Sequence, residues 1–278
     1  MFALGRPSRA AIVTTYAVGG VALLIFLFPI FWMVLTSFKT TAQAFTSDPV
    51  LVFQPTLKNY REVLFDRGFV AYIRNSLLIG LLATLLTLVL GVTIAYPLAR
   101  YTLRGGRQIT SWILSLRIIP PIVSIVPLYI IFSRLNLVDR YPALIIMYTF
   151  MNLPLAVWML RGFFAEVPRE LEEAALVDGS SPVGGFFRIV LPLVVPGLVA
   201  TGMLSLIFCW NEFLFANVLT AARTKTAPVG LTEYATPVSV LWTQIMAAGT
   251  VVVLPVLAVG VFIQRFLVRG LAVGAVKG

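Results

Sequence analysis

The stretch Asn75–Ala99 reads NSLLIGLLATLLTLVLGVTIAYPLA, a run without a single charged side chain. It exceeds the roughly 20 apolar residues that an α-helix needs to cross the hydrocarbon layer of a bilayer. A helix closes its own backbone hydrogen bonds and so can stand in lipid without outside partners. Working outward, five more stretches of the same kind lie near Ala11–Phe38, Ile109–Ser133, Tyr141–Leu160, Ile189–Asn211 and Val238–Gln264, and only the third carries a charge, Arg117. The expected fold is all-α, with six transmembrane helices in one membrane domain over residues 1–278.

Composition agrees with this expectation. The 278 residues are 59% hydrophobic and 12% charged, whereas soluble domains carry about 25% charged residues, and the mean hydropathy is +0.96. The formal charge of +10 does not point to nucleic acid, because the basic residues are scattered between apolar runs, where they set topology and meet lipid headgroups. There is no histidine and one cysteine, Cys209, inside an apolar run. These absences argue against His-based catalysis, cysteine or histidine metal sites and a disulfide framework. No catalytic residue is expected in this chain.

The first apolar run follows Arg6 and Arg9 and precedes Ala42-Gln43-Ala44, a pattern with some likeness to a signal peptide. Its length exceeds a signal h-region, so a retained anchor is expected. Six crossings put both termini on one side, and the short loop with Arg100, Arg104 and Arg107 assigns that side to the cytoplasm, as do Arg265, Arg269 and Lys277. The opposite side is basic too, since Lys39, Lys58, Arg61, Arg67 and Arg74 fall in the first long loop. Prolines 29, 97, 120, 121, 127, 154, 192, 196 and 255 fall within the spans. They fit either ordinary membrane-helix usage or kinks that serve transport.

Between the fourth and fifth spans, residues 161–188 include VPRELEEAALVDG, Val167 to Gly179. Pro168 suits a helix start, Glu170, Glu172 and Glu173 suit the positive end of the helix dipole, and Gly179 suits the stop. The helix is amphipathic and too short to be stable alone, so it is expected to dock on something, either its own chain or a partner. After Gly179, nine residues lead to Ile189-Val190-Leu191-Pro192.

That spacing, from Glu-Ala-Ala through Gly to Ile-x-Leu-Pro, resembles the cytoplasmic loop of permease subunits in bacterial ABC importers. The likeness runs over nearly the whole chain and is nearest to carbohydrate importers of the maltose, trehalose, polyol and glycerol-phosphate group. It is supported by Asn59-Tyr60, Asn75-Ser76, Pro127-Leu128-Tyr129, Trp210-Asn211-Glu212-Phe213 and Pro228-Val229-Gly230-Leu231. The resemblance implies a coupling helix at Glu173, Ala174, Ala175, Asp178 and Gly179 that sits in a cleft of an ATPase subunit. A bulky residue at Ala175 is then expected to uncouple hydrolysis from transport. It implies a C-terminal cytoplasmic tail, residues 265–278 with Arg265, Arg269 and Lys277, that reaches toward the ATPase. The implied partners are two ATP-binding subunits, a second related permease and an extracytoplasmic sugar-binding protein or lipoprotein. The loop with Pro228 and Gly230 would touch that binding protein.

Lys39-Thr40 and Lys225-Thr226 lack the glycine loop of a nucleotide site, so ATP and Mg are expected on the partner and no cofactor on this chain. Polar groups in spans are costly, which makes Arg117, Asn152, Trp210, Asn211 and Glu212 candidates for the translocation path. Arg117 could equally pair with a partner subunit, Asn211 and Glu212 could cap a helix, and Trp210, Trp158 and Tyr148 could be interfacial aromatics. The same architecture also serves glycerol-phosphate import. A six-span secondary carrier or channel is the rival from another class, but the spans hold no acid except Glu212 at an edge.

Overall fold

A computed structural model describes residues 8–46, 48, 50–235 and 240–274, with side chains described up to residue 261. The described residues are predominantly helical, and the one extended pairing among them is an isolated bridge between Ala235 and Val240. Five helices are long and apolar enough to cross a membrane, and six segments are if one bent pair counts as a single span. They are α1 (Arg9–Ser37), α2 (Phe69–Arg100), the pair α3 (Gly106–Ile118) and α4 (Pro121–Arg134), α5 (Tyr141–Glu166), α7 (Pro182–Asn211) and α9 (Trp242–Gly274). Two shorter helices are α6 (Arg169–Val177) and α8 (Leu214–Leu219).

The third span departs from the straight crossing expected over Ile109–Ser133: α3 and α4 meet at 93°. The cause is local. Ile119 and Pro120 each precede a proline, whose ring disfavours helical backbone in the preceding residue, and both are extended, with ψ of 119° and 126°. Single prolines inside α1, α2, α5 and α9 leave those helices continuous. In α7 one wide turn, Phe186–Val190, sits just before Pro192 and bypasses the bond that proline cannot donate. The sixth span also differs from expectation, because α9 runs on to Gly274 through most of the stretch read as a tail. Lys277 lies outside the described residues, as do the side chains of Arg265 and Arg269.

The chain divides into two compact units, one taking in residues up to Phe69 with Leu231–Val253, the other Val70–Gly230 with Leu254 onward. In the first, α1 starts with Ser8 accepting from Ala11 N–H (3.2 Å). None of its most apolar window is buried by this chain, so its surface is left for lipid or another subunit. Below α1, buried Asn59 donates to the carbonyls of Ser37 and Lys39, each at 2.8 Å, and the Tyr60 hydroxyl meets that of Ser37 at 2.6 Å. Lys39 is 2% exposed and lies over Trp32 and Phe53, so it is sequestered and does not count as a surface charge.

In the second unit, α2, α5 and α7 bury two apolar clusters. One gathers Ile79, Leu144, Met147, Tyr148, Phe215 and Leu219, and the other Val157, Leu160, Phe164, Val190 and Val194. Close approach depends on small residues. A Cβ on Gly91 would lie 3.1 Å from Leu160, and one on Gly202 would lie 3.1 Å from Leu88.

Candidate functional site

Three features of the second unit can carry function: α6, a cavity walled by α3, α4, α5 and α7, and the loop that follows α8.

α6 begins one residue later than the sequence suggests, with Pro168 as its cap and Glu170 and Glu172 in its first turn. It stops where Gly179 takes a φ of +84°. There the N–H groups of Gly179 and Ser180 return to the carbonyls of Leu176 (3.1 Å) and Ala175 (2.9 Å), which closes the helix end. One side of α6 is fixed to its own chain. Glu172 pairs with Arg100 at the end of α2 (2.5 Å), and the Tyr96 hydroxyl donates to its other oxygen (3.0 Å). Arg100 also donates to the carbonyl of Val167 (2.8 Å). Arg100 is therefore a buried, paired cation, and of the basic loop only Arg104 and Arg107 stand as exposed topology charges.

The opposite side of α6 is open. Glu173, Ala174, Leu176, Asp178 and Gly179 are exposed, and Val177 is 87% so. Ala175 is the exception in this set. It is 4% exposed, with its Cβ 3.8 Å from the point where a Cβ on Gly185 would stand. A bulky side chain there would first lift α6 off its own chain.

The cavity has a volume of about 550 Å³ and brings together Arg117, Asn152 and Glu212 with Tyr148, Phe208 and Cys209. The Arg117 guanidinium lies 5.2 Å from the Phe208 ring centre, a cation–π contact, and it makes no salt bridge among the described residues. Asn152 is buried and donates to the Tyr148 carbonyl (2.8 Å) and the Cys209 thiol (3.4 Å). Glu212 turns both oxygens to the start of α8, accepting from Phe215 and Ala216 N–H at 2.9 and 3.0 Å. It caps that helix while lining the cavity. Trp210 and Asn211 are not part of this cavity: Trp210 lines a small apolar cleft with Leu77 and Pro255, and Asn211 is exposed, donating to Ile207 of its own helix. Tyr148 is on the cavity wall, whereas Trp158 is 55% exposed and away from it.

The loop after α8 is ordered around a residue the sequence reading did not single out. Asp139 accepts from the four successive backbone N–H groups of residues 221–224 at 3.0 to 3.2 Å, and from the Thr224 hydroxyl at 2.9 Å. Its own N–H donates to the Leu219 carbonyl (2.8 Å). Burial works against the charge, but the loop N–H groups outweigh it and hold this carboxyl below its ordinary range. Asn75 adds a second anchor by donating to the carbonyls of Arg223 (3.1 Å) and Lys225 (3.0 Å) while accepting from Tyr141 (2.8 Å). Ser76 accepts from Ala227 N–H at 2.8 Å. Gly230 is buried and Pro228 half-buried, whereas Ala221, Ala222 and Arg223 are exposed and form the accessible tip. A sequence signal for Asp139 did exist: Asn136 and Asp139 both adopt positive φ, 54° and 57°, and Asn and Asp are the non-glycine types that tolerate it.

Comparison with known proteins gives the family. Residues 87–273 match the family described as binding-protein-dependent transport system inner membrane component. The chain is 36% identical over 280 residues to the sulfoquinovosyl glycerol transport system permease protein SmoH of Agrobacterium fabrum, covering 100% of this chain and 96% of that one. It is 35% identical over 259 residues to the trehalose/maltose transport system permease protein MalG of Thermococcus litoralis, covering 92% and 93%. Among solved structures, a chain of a bacterial ABC transporter involved in the import of the acidic polysaccharide alginate superposes with a TM-score of 0.79 at 22% identity, covering 94% of this chain and 99% of that chain. That last likeness is one of fold. By the extent of the family match and of these identities, the chain is a multi-pass membrane protein and belongs to the binding-protein-dependent transport system inner membrane components.

Proposed function

We propose that this chain is the permease subunit of an ATP-driven importer. It receives a sugar, a disaccharide, oligosaccharide or polyol, from an extracytoplasmic binding protein and passes it across the cytoplasmic membrane by alternating access. The observation that carries the reading is α6, held by Glu172 on one side and exposing Ala174, Leu176 and Val177 between acidic residues on the other. A helix of nine residues with an open apolar strip fits a groove in a partner, and Glu173 and Asp178 would meet a basic rim. The partner is an ATP-binding subunit, present in two copies, which holds the ATP and Mg. This chain is not itself an enzyme and binds no cofactor.

A second related permease completes the membrane part, and the tail residues Arg265, Arg269 and Lys277 lie toward the ATPase. Both termini and α6 are cytoplasmic, as Arg104 and Arg107 at the same end of α2 favour. The loop tip at Ala221–Arg223 then faces outward to the binding protein, with half-buried Pro228 and buried Gly230 as its footing. The cavity with Arg117, Asn152 and Glu212 is this subunit's share of the sugar path. The sugar relatives of this chain support the substrate class.

The test is purification of the tagged chain in mild detergent, then ATP hydrolysis and vesicle uptake with sugar-loaded binding protein. Co-purification of an ATPase and a second permease, with ATP-dependent uptake of a sugar, is expected. A chain that purifies alone and passes solute without ATP would overturn the reading in favour of a carrier or channel.

A further inference from the structure

Resting on the importer reading above, we infer that α2 is a strut through which the coupling helix α6 and the outer loop sense one another. Both of its ends are tied by side chains. At the inner end, Tyr96 and Arg100 stand one helical turn apart on one face and reach the same carboxylate, Glu172. Arg100 is 8% exposed and also holds the Val167 carbonyl, at the joint between α5 and α6. At the outer end, Asn75 holds the carbonyls of Arg223 and Lys225, and Ser76 holds Ala227 N–H. The two ends are about 38 Å apart at 1.5 Å per residue.

The chemistry of the inner tie makes it suited to transmit motion. A buried ion pair cannot slip gradually, because a partial separation leaves a charge without its partner in a poorly solvated place. When α6 is displaced, either the end of α2 follows or the pair breaks outright. The alternatives are discrete, as coupling between distant sites requires. α2 is continuous through Pro97, which omits a single bond of its ladder, and so carries an axial shift to Asn75, and with it the backbone of the loop tip. Linkage makes this reciprocal: whatever the binding protein does to the tip also biases α6. The competing route runs through the covalent neighbours of α6, the helices α5 and α7; it touches Asn75 through Tyr141 and the Tyr96 ring through Phe164 and Phe186, but it does not use the bond from the Tyr96 hydroxyl to Glu172.

The experiment uses the complete complex purified on the tagged chain, at saturating sugar-loaded binding protein, and reads the fold stimulation of ATP hydrolysis. The variants are Glu172→Gln, Asn75→Ala, the double variant, and Tyr96→Phe, which removes only one hydroxyl. The amount of co-purified ATPase is measured for each. Each of the first two singles is expected to lower stimulation about fivefold or more, in the range of ordinary allosteric coupling. The double is expected to be no lower than the worse single, since both interrupt one route, and Tyr96→Phe to fall between wild type and Glu172→Gln. Losses that multiply in the double variant, or wild-type stimulation in the singles with the complex intact, overturn the strut. Loss of the ATPase from the Tyr96→Phe complex would also overturn it, reducing the tie to local packing. A wild-type complex that shows no stimulation would instead sink the importer reading itself.

Discussion

The two regions that α2 joins are held by opposite kinds of chemistry. At one end a carboxylate, Glu172, faces side chains, the Arg100 guanidinium and the Tyr96 hydroxyl. At the other a carboxylate, Asp139, faces backbone, four consecutive N–H groups of the loop that Asn75 also holds. Backbone amides in a turn form a fixed concave nest for an anion, and here the chain supplies the anion itself, which sets the loop in one shape. A pair of side chains fixes no backbone shape and can exist made or broken. The difference separates a static platform from a movable joint.

The comparison can be broken most forcefully at the joint. Arg100→Met leaves Glu172 without its cation, and removing one member of a buried pair costs about 3–5 kcal/mol. Thermal unfolding of the purified complex should show a lower midpoint, largely restored when Glu172→Met is added. A double variant as unstable as the single would mean that the pair is not the source. At the platform, Asp139→Ala should cost about 2 kcal/mol locally, the scale of hydrogen bonds to a charged group. Because Arg223 and Lys225 lie in this loop, trypsin should cut there roughly 30-fold faster, each 1.4 kcal/mol being a factor of ten. Unchanged cleavage would show that Asn75 alone suffices.

Acid should produce a weaker form of the same effect. The Asp139 carboxyl is held below its ordinary value, so its contribution is complete above the unfolded value of about 3.9 and is lost as pH falls through the lower, folded one. Loop cleavage by pepsin should rise on acidification below about pH 4 in the wild type, and that rise should be absent in Asp139→Ala. The smallest change is expected from Tyr96→Phe, about 1 kcal/mol for one hydrogen bond. It should be visible as faster amide exchange in α6 and absent from the loop that Asp139 holds. Exchange that quickened equally at both sites would erase the distinction between joint and platform.

What could be read from the sequence follows the range of the interactions. The spans were legible because crossing a bilayer is a property of one continuous segment, and the short helix α6 because its caps at Pro168 and Gly179 are local. The break at Ile119–Pro120 was present as two adjacent prolines, but an apolar run on both sides masked it. Arg100 read as a topology charge because its partner, Glu172, is far along the chain. Asp139 was missed for the same reason, since its first loop partner is 82 residues away. Ala175 stands in the same motif as Ala174, but facing inward or outward is decided by packing on Gly185. Of the path candidates, Arg117, Asn152 and Glu212 share one cavity because the broken third span turns Arg117 toward α5 and α7.

That break also bears on how the chain is made. α1 closes its own backbone and its most apolar window is buried by nothing else in this chain, so it can leave the translocation machinery and enter lipid as soon as it is synthesised. The elbow between α3 and α4 cannot, because extended backbone at Ile119 and Pro120 interrupts the helical hydrogen-bond ladder that a segment in hydrocarbon needs. Stable insertion of that hairpin therefore waits for later helices to shelter it, and nascent chains ending before Tyr141 are the ones that membrane quality control would be expected to find unfinished.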